Sequence, residues 1–139
     1  MVAAAMLLMA GAMPVHAHES SPTAPPPKKE PQTLPVEVIL TKRGTRLTDL
    51  KGMTLYYFDR DDSGTKSNCN DDCAKRWIPF AAPTDATAIG DFTVITRDDG
   101  SKMWAYCYRP LYLSEADKAP GEINGFDPSN EWHVARPLY

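Results

Sequence analysis

"LYYFDRD" occupies residues 55–61 and "LYLSEAD" residues 111–117. Both read Leu-Tyr-x-x-x-x-Asp, and the second begins 56 residues after the first. Sliding the chain by that distance extends the match without a gap. Val38-Ile39 meets Val94-Ile95, Gly44 meets Gly100, Arg46 meets Lys102, Leu47 meets Met103, and Asp61 meets Asp117. Beyond Asp61 the register slips by one, since Trp77 and Trp132 are 55 apart. An internal repeat of this length reads as a duplicated supersecondary unit.

Each unit carries β signals. "VEVIL" and "DFTVIT" are rich in β-branched residues, which suit a pleated surface. "TKRG" and "RDDG" follow and place Gly where a hairpin turn needs positive φ. "TRLTDL" and "KMWAY" return as second strands, and "TLYYF" and "PLYL" follow as third strands. The expected fold is a small all-β antiparallel domain. Two tandem three-stranded meanders pack about a pseudo-two-fold axis, with at most one short helical turn near residues 71–77. Asp71 or Asp72 would cap that turn.

The rest of the chain reads as an export apparatus. Residues 1–17, "MVAAAMLLMAGAMPVHA", are apolar, and small residues precede a cleavage expected after Ala17. The run is shorter than the roughly 20 residues that span a bilayer, so no transmembrane segment is expected. Residues 18–35 hold six prolines and little to bury, so they read as a disordered linker. The folded domain is therefore expected at 36–139, with units at about 38–93 and 94–139. All 15 Lys and Arg and all 18 Asp and Glu lie after Ala17, for a net charge of −3. The two signs are interspersed, so the sequence offers neither a basic face for nucleic acid nor a basic amphipathic helix.

The combined string "GMTLYYFDRD…CNDDCAKRWIPF…DGSKMWAY…PLYLSEAD…PGEINGF…EWHVARP" resembles the bacterial secreted-repeat lipoprotein family with the Tyr-x4-Asp motif. The resemblance covers nearly all of residues 44–137. It implies an exported protein with tandem motifs, and no established activity. The chain departs from the family pattern in three places. It has no lipobox Cys. It has Trp77-Ile78-Pro79 where Trp-Pro-Pro is usual. It has Tyr108, after Cys107, where Gly is usual, although the first unit keeps its equivalent Gly52.

Several residues are candidates for chemistry. Cys69 and Cys73 form a close pair that reads as a disulfide in an exported chain, with a redox or metal thiolate pair as the rival. Cys107 is left over, either buried and inert or reactive. Asp59-x-Asp61-x-Ser63-Gly64 opens like a calcium loop, but its twelfth position is Asn70 rather than Glu. The competing reading is a solvated acidic turn. Copper would draw on Met53, Met103, Cys107 and His133, the sole His of the folded region. Tyr56/Asp61 and Tyr112/Asp117 read first as structural pairs, because a half-buried Tyr hydroxyl needs a partner and an Asp at the strand's end can supply it. Their functional reading is a pair of ligand grooves lined by Tyr57, Trp77, Tyr106, Tyr108 and Trp132. The alternative for that set is simply core.

No enzyme constellation appears: there is no Gly-x-Ser-x-Gly, no Cys-His pairing and no phosphate loop. The expected function is an exported, non-catalytic domain that binds a partner protein or small ligand in the cell envelope, in the periplasm or outside the cell. The alternative is a periplasmic protein that binds calcium or copper.

Overall fold

The structure, a computed structural model, describes residues 11–14, 24–26, 28, 31–61 and 64–138. Most of the expected leader, its cleavage point, most of the linker and Ser63 lie outside the described residues. Among the described residues no helix is long and apolar enough to cross a membrane. Residues from Pro31 onward make up one compact unit.

β1 (Val36–Thr41) and β2 (Gly44–Asp49) form the first hairpin. Gly44 closes it at φ 100°, a region open to Gly at little steric cost. β3 (Leu55–Phe58) follows, then the short helix α1 (Asp72–Arg76) and β4 (Trp77–Pro79). Asp71 precedes α1 without a side-chain capping bond; Asp72 lies in its first turn. In the second unit, β5 (Phe92–Thr96) and β6 (Lys102–Tyr106) form the hairpin. Then come β7 (Arg109–Pro110), β8 (Tyr112–Ser114) and β9 (Trp132–Val134). The fold is all-β and antiparallel, as the residue pattern implied.

The third strands do more than complete their meanders. Thr54 bridges to Thr48, and β7 pairs with β6, so each meander keeps a short third edge. The chain then runs on into a shared sheet of order β4-β8-β3-β9. At its centre β3 pairs with β8, and Tyr56 lies opposite Tyr112, its own counterpart in the other repeat. The pseudo-two-fold axis passes through that pair. On the flanks, Trp77 lies opposite Ser114 and Trp132 opposite Phe58, in equivalent places.

The two hairpins differ in an instructive way. The first has a two-residue loop, Lys42-Arg43, between Thr41 and Gly44. The second has a three-residue loop, Asp98 to Gly100, closed by the Arg97 N–H donating to the Ser101 carbonyl at 2.8 Å. The next turn reverses the difference. Leu50 to Gly52 fill it in the first unit, where the Asp49 N–H donates to the Met53 carbonyl at 2.9 Å. Only Cys107 and Tyr108 fill it in the second, between paired Tyr106 and Arg109. β6 is thus displaced by one residue relative to β2, while the spacing of everything outside it is unchanged. The gapless alignment hides this. It sets Arg46 against Lys102 and Leu47 against Met103, whereas pairing sets Arg46 with Ile39 and Met103 with Ile95, and Leu47 with Val38 and Trp104 with Val94. The structural counterparts are therefore Arg46 and Met103, and Leu47 and Trp104. Backbone bonds agree: Leu47 N–H donates to the Ala135 carbonyl and Trp104 N–H to that of Phe80, each at 2.9 Å.

Two apolar clusters result. One gathers the counterparts Val36 and Phe92, Leu47 and Trp104, and Leu55 and Leu111. The other gathers Tyr56, Tyr112, Trp77, Trp132, Ile95 and Met103. Trp77 and Trp132 stack with centroids 4.1 Å apart, and each meets a tyrosine edge-on, Tyr56 at 5.2 Å and Tyr112 at 5.0 Å. Aromatic pairs of this geometry add about 0.5–1.5 kcal/mol each beyond burial.

Candidate functional site

The Tyr-x4-Asp motifs meet across the axis, not within a repeat. Tyr56 Oη donates to Asp117 Oδ2 at 2.7 Å, and Tyr112 Oη donates to Asp61 Oδ2 at 2.7 Å. β3 and β8 run antiparallel, so each strand delivers its Tyr to the loop that follows the other strand. The second oxygen of each carboxylate is also held. Asp61 Oδ1 accepts the Asn68 N–H at 2.8 Å, and Asp117 Oδ1 accepts the Asn124 N–H at 2.6 Å. Each Asn side chain turns back to the carbonyl just before the motif Asp, Arg60 or Ala116. Asn68 and Asn124 are 56 apart, so the gapless register runs past Asp61; that spacing was the available sequence signal for these residues.

Both tyrosine rings are fully buried. Burial comes first, and the hydrogen bond to a carboxylate second, in pushing both hydroxyls well above the ordinary tyrosine range. Tyr56 Oη also accepts the Gly125 N–H at 3.2 Å, and Tyr112 Oη lies 2.6 Å from Ser67 Oγ. A phenol held protonated and enclosed this way is a tie between repeats, not a nucleophile at neutral pH.

Cys69 and Cys73 form a disulfide, with Cα atoms 5.2 Å apart. It joins the loop after Asp61 to α1. Buried Arg97 supports that loop, its Nη2 donating to the Cys69 carbonyl at 3.0 Å and to Asn70 Oδ1 at 3.3 Å. Cys107 is free and half-buried.

The five aromatic residues considered as a groove do not converge. Trp77, Tyr106 and Trp132 are buried in the core. Tyr108 is 71% exposed and borders a different surface, against Thr93 to Thr96. Tyr57 is half-buried beside an open cleft that buried Trp132 also lines, and it shares a smaller one with Tyr106. Of the calcium-loop residues, Asp61 spends its oxygens on Tyr112 and Asn68, while Asp59 Oδ2 lies 2.8 Å from His133 Nε2. Among the described residues no three His, Cys, Asp or Glu side chains gather as a metal site would require. Of the copper set, Met103 is fully buried in the second cluster, and Cys107 packs against the first.

The open cleft measures about 460 Å³ and is lined by Tyr57, Arg109, Trp132, His133, Arg136 and Leu138, among others. The Arg109 guanidinium lies 4.4 Å above the Tyr57 ring. The His133 ring is tilted against Tyr57, with ring centroids 5.2 Å apart. Arg136 Nη1 donates to the Thr45 carbonyl at 2.7 Å, which fixes it at the rim. Arg109 and Arg136 were not singled out in the sequence. Each opens an Arg-Pro-Leu-Tyr stretch, at 109–112 and 136–139, but β7 and the tail after β9 are brought together only by the fold.

No curated protein and no solved structure matches this chain. A family described as a secreted repeat of unknown function matches it twice, over residues 37–81 and 93–136. Those two spans are the two halves related by the Tyr56–Tyr112 axis and together cover well over half of the sequence, so the chain belongs to that family of secreted repeats.

Proposed function

We propose that this chain is an exported, non-catalytic binding domain whose ligand surface is the cleft of Tyr57, Arg109, His133 and Arg136. Its place is the periplasm or the exterior, after cleavage near Ala17. The observation that carries the reading is the Arg109 guanidinium stacked 4.4 Å over Tyr57 at an open cleft of about 460 Å³. A guanidinium on an aromatic face presents its edge donors to a carboxylate or other planar anion, while the ring offers apolar area. Two arginines and a histidine around half-buried aromatic walls suit an anionic organic molecule or an acidic side chain of an envelope protein. The Tyr–Asp ties, by contrast, are enclosed and serve the scaffold.

The test is a nuclear magnetic resonance titration of the exported protein with a panel of small aromatic and aliphatic carboxylates. Binding should shift the His133 and Arg109 side-chain signals, and Arg109→Ala should abolish the response while leaving the fold intact. A panel that never moves those signals, or hits indifferent to Arg109→Ala, would overturn the reading.

The metal reading keeps one foothold, the Asp59–His133 pair at 2.8 Å on the rim. Native mass spectrometry after exposure to calcium and copper decides it. A stoichiometric ion lost in Asp59→Asn would favour metal, and a bare chain would remove it.

A further inference from the structure

A second opening lies between the β1–β2 turn and the 121–123 segment. It measures about 330 Å³ and is lined by Thr41, Lys42, Arg43, Arg46, Gly121 and Ile123. Three of these six residues are cationic and none is acidic. Among the described residues none of the three cations forms a salt bridge.

Arg46 is the unusual member. It is only 7% exposed, yet among the described residues its side chain makes one hydrogen bond, from Nη2 to the Gly121 carbonyl at 3.2 Å. Its Nε is buried without any partner among the described residues. A guanidinium cannot escape this cost by losing its proton. Buried charges in folded proteins are ordinarily paired, and an unsatisfied buried donor is destabilising. The second repeat also buries a guanidinium nearby, but there it is satisfied: Arg97 lies 4.0 Å from the Met103 sulfur and donates to Cys69, Asn70 and Ser67. The counterpart of Arg46 in the second repeat is Met103, fully buried in the same all-β frame. One repeat therefore fills this position with an apolar side chain and the other with a buried charge. Beside it, the two-residue turn carries Lys42 and Arg43 at the mouth of the opening.

We propose that this opening is an oxyanion-binding site, taking a phosphate or carboxylate group, with Arg46 as its buried anchor and Lys42 and Arg43 as its rim. The guanidinium fork matches two oxygens of such a group, and charged hydrogen bonds of that kind are the strong ones. The opening is larger than one oxyanion needs, so it suits the end of a small organic ligand. The site shares no lining residue with the Tyr57 cleft and does not rest on that reading.

The experiment titrates the full exported chain with inorganic phosphate, and separately with acetate, at ionic strength matched by sodium chloride. The readout is the Arg46 Nε–H resonance together with the backbone amide of Gly121, which lines the same opening. The expected result is a saturable shift with phosphate, with acetate or with both, absent in chloride; which anion acts identifies the class. Lys42→Glu with Arg43→Glu, both on an exposed turn, should weaken it at least about tenfold. Arg46→Met, which installs the second repeat's residue, should fold and lose the Gly121 amide response. Should Arg46→Met fail to fold, the turn variant still decides. A shift that chloride reproduces, no saturable shift, or a shift unchanged by the turn variant overturns the proposal. Arg109→Ala should leave this titration as it was, which separates the two sites.

Discussion

Tyr56 donates its phenolic hydrogen to Asp117, 61 residues further along and in the other repeat. Tyr112 returns the bond to Asp61. The motif is therefore read across the pair of repeats, and each half is complete only when the other is present.

Double-mutant cycles test this crossing. Tyr56→Phe and Asp117→Ala should each cost about 1–3 kcal/mol of unfolding free energy, because each strands a buried polar partner. Their coupling should be about 1 kcal/mol or more, while Tyr56→Phe with Asp61→Ala should be additive within about 0.5 kcal/mol. Coupling between Tyr56 and Asp61 in place of Asp117 would refute the crossed arrangement.

The raised hydroxyls give the alkaline limb a definite sign. Folding holds Tyr56 and Tyr112 protonated, through burial and then through the carboxylates. A tyrosine whose folded pKa lies above its unfolded value contributes stability in full below pH of about 10. That stability is lost as pH rises beyond it, by up to about 1.4 kcal/mol per tyrosine per pH unit. Ultraviolet titration should show these two phenols ionising only as near-ultraviolet dichroism is lost. Ionisation of every tyrosine in an intact fold would contradict their burial.

The disulfide closes a short loop, so its effect is modest. Cys69→Ser with Cys73→Ser should cost about 2 kcal/mol by the loop-entropy relation. Cys69 is fully buried, which adds the burden of a hidden hydroxyl in that variant. In oxidised native protein Cys107 alone should be open to alkylation. Two or more modified thiols would mean that the pair is not joined.

Cys107 and Tyr108 both sit at positive φ, 46° and 64°. Their turn has two residues with left-handed backbone, the form that favours Asn-Gly. Tyr108→Gly should raise stability by about 0.5–1 kcal/mol, measured by chemical denaturation, since it relieves the left-handed penalty at an exposed side chain. A loss of stability would show that the Tyr108 ring is held by contacts that outweigh the backbone cost.

Gly125 lies against the motif tyrosine. A Cβ there would stand 2.6 Å from the Tyr56 ring, so Gly125→Ala should destabilise by about 1–3 kcal/mol through overpacking. An unchanged melting temperature would mean that the 124–125 segment moves freely away from Tyr56.

How far the sequence alone reaches can be judged from particular residues. Val38, Ile39 and Gly44, with their partners 56 residues on, determined the all-β class, the duplication and the hairpin turns, because strand propensity and positive φ are local properties. Cys69 and Cys73 were equally legible, since a pair so close in an exported chain has little else to do. The Tyr and Asp of the motif were visible as a repeated pair, but the sequence suggested a bond within each copy. The partner was decided by β3 lying antiparallel to β8, which carries each hydroxyl to the opposite loop. The displacement of β6 was hidden for a similar reason: two compensating turns leave the count of residues unchanged. Arg46 was visible only as a match to Lys102, and Arg109 and Arg136 only as the openings of two Arg-Pro-Leu-Tyr stretches. Whether a charge stands free at a surface, stacks on a ring or is buried beside a cleft depends on what distant segments bring to it, and only the tertiary structure sets that.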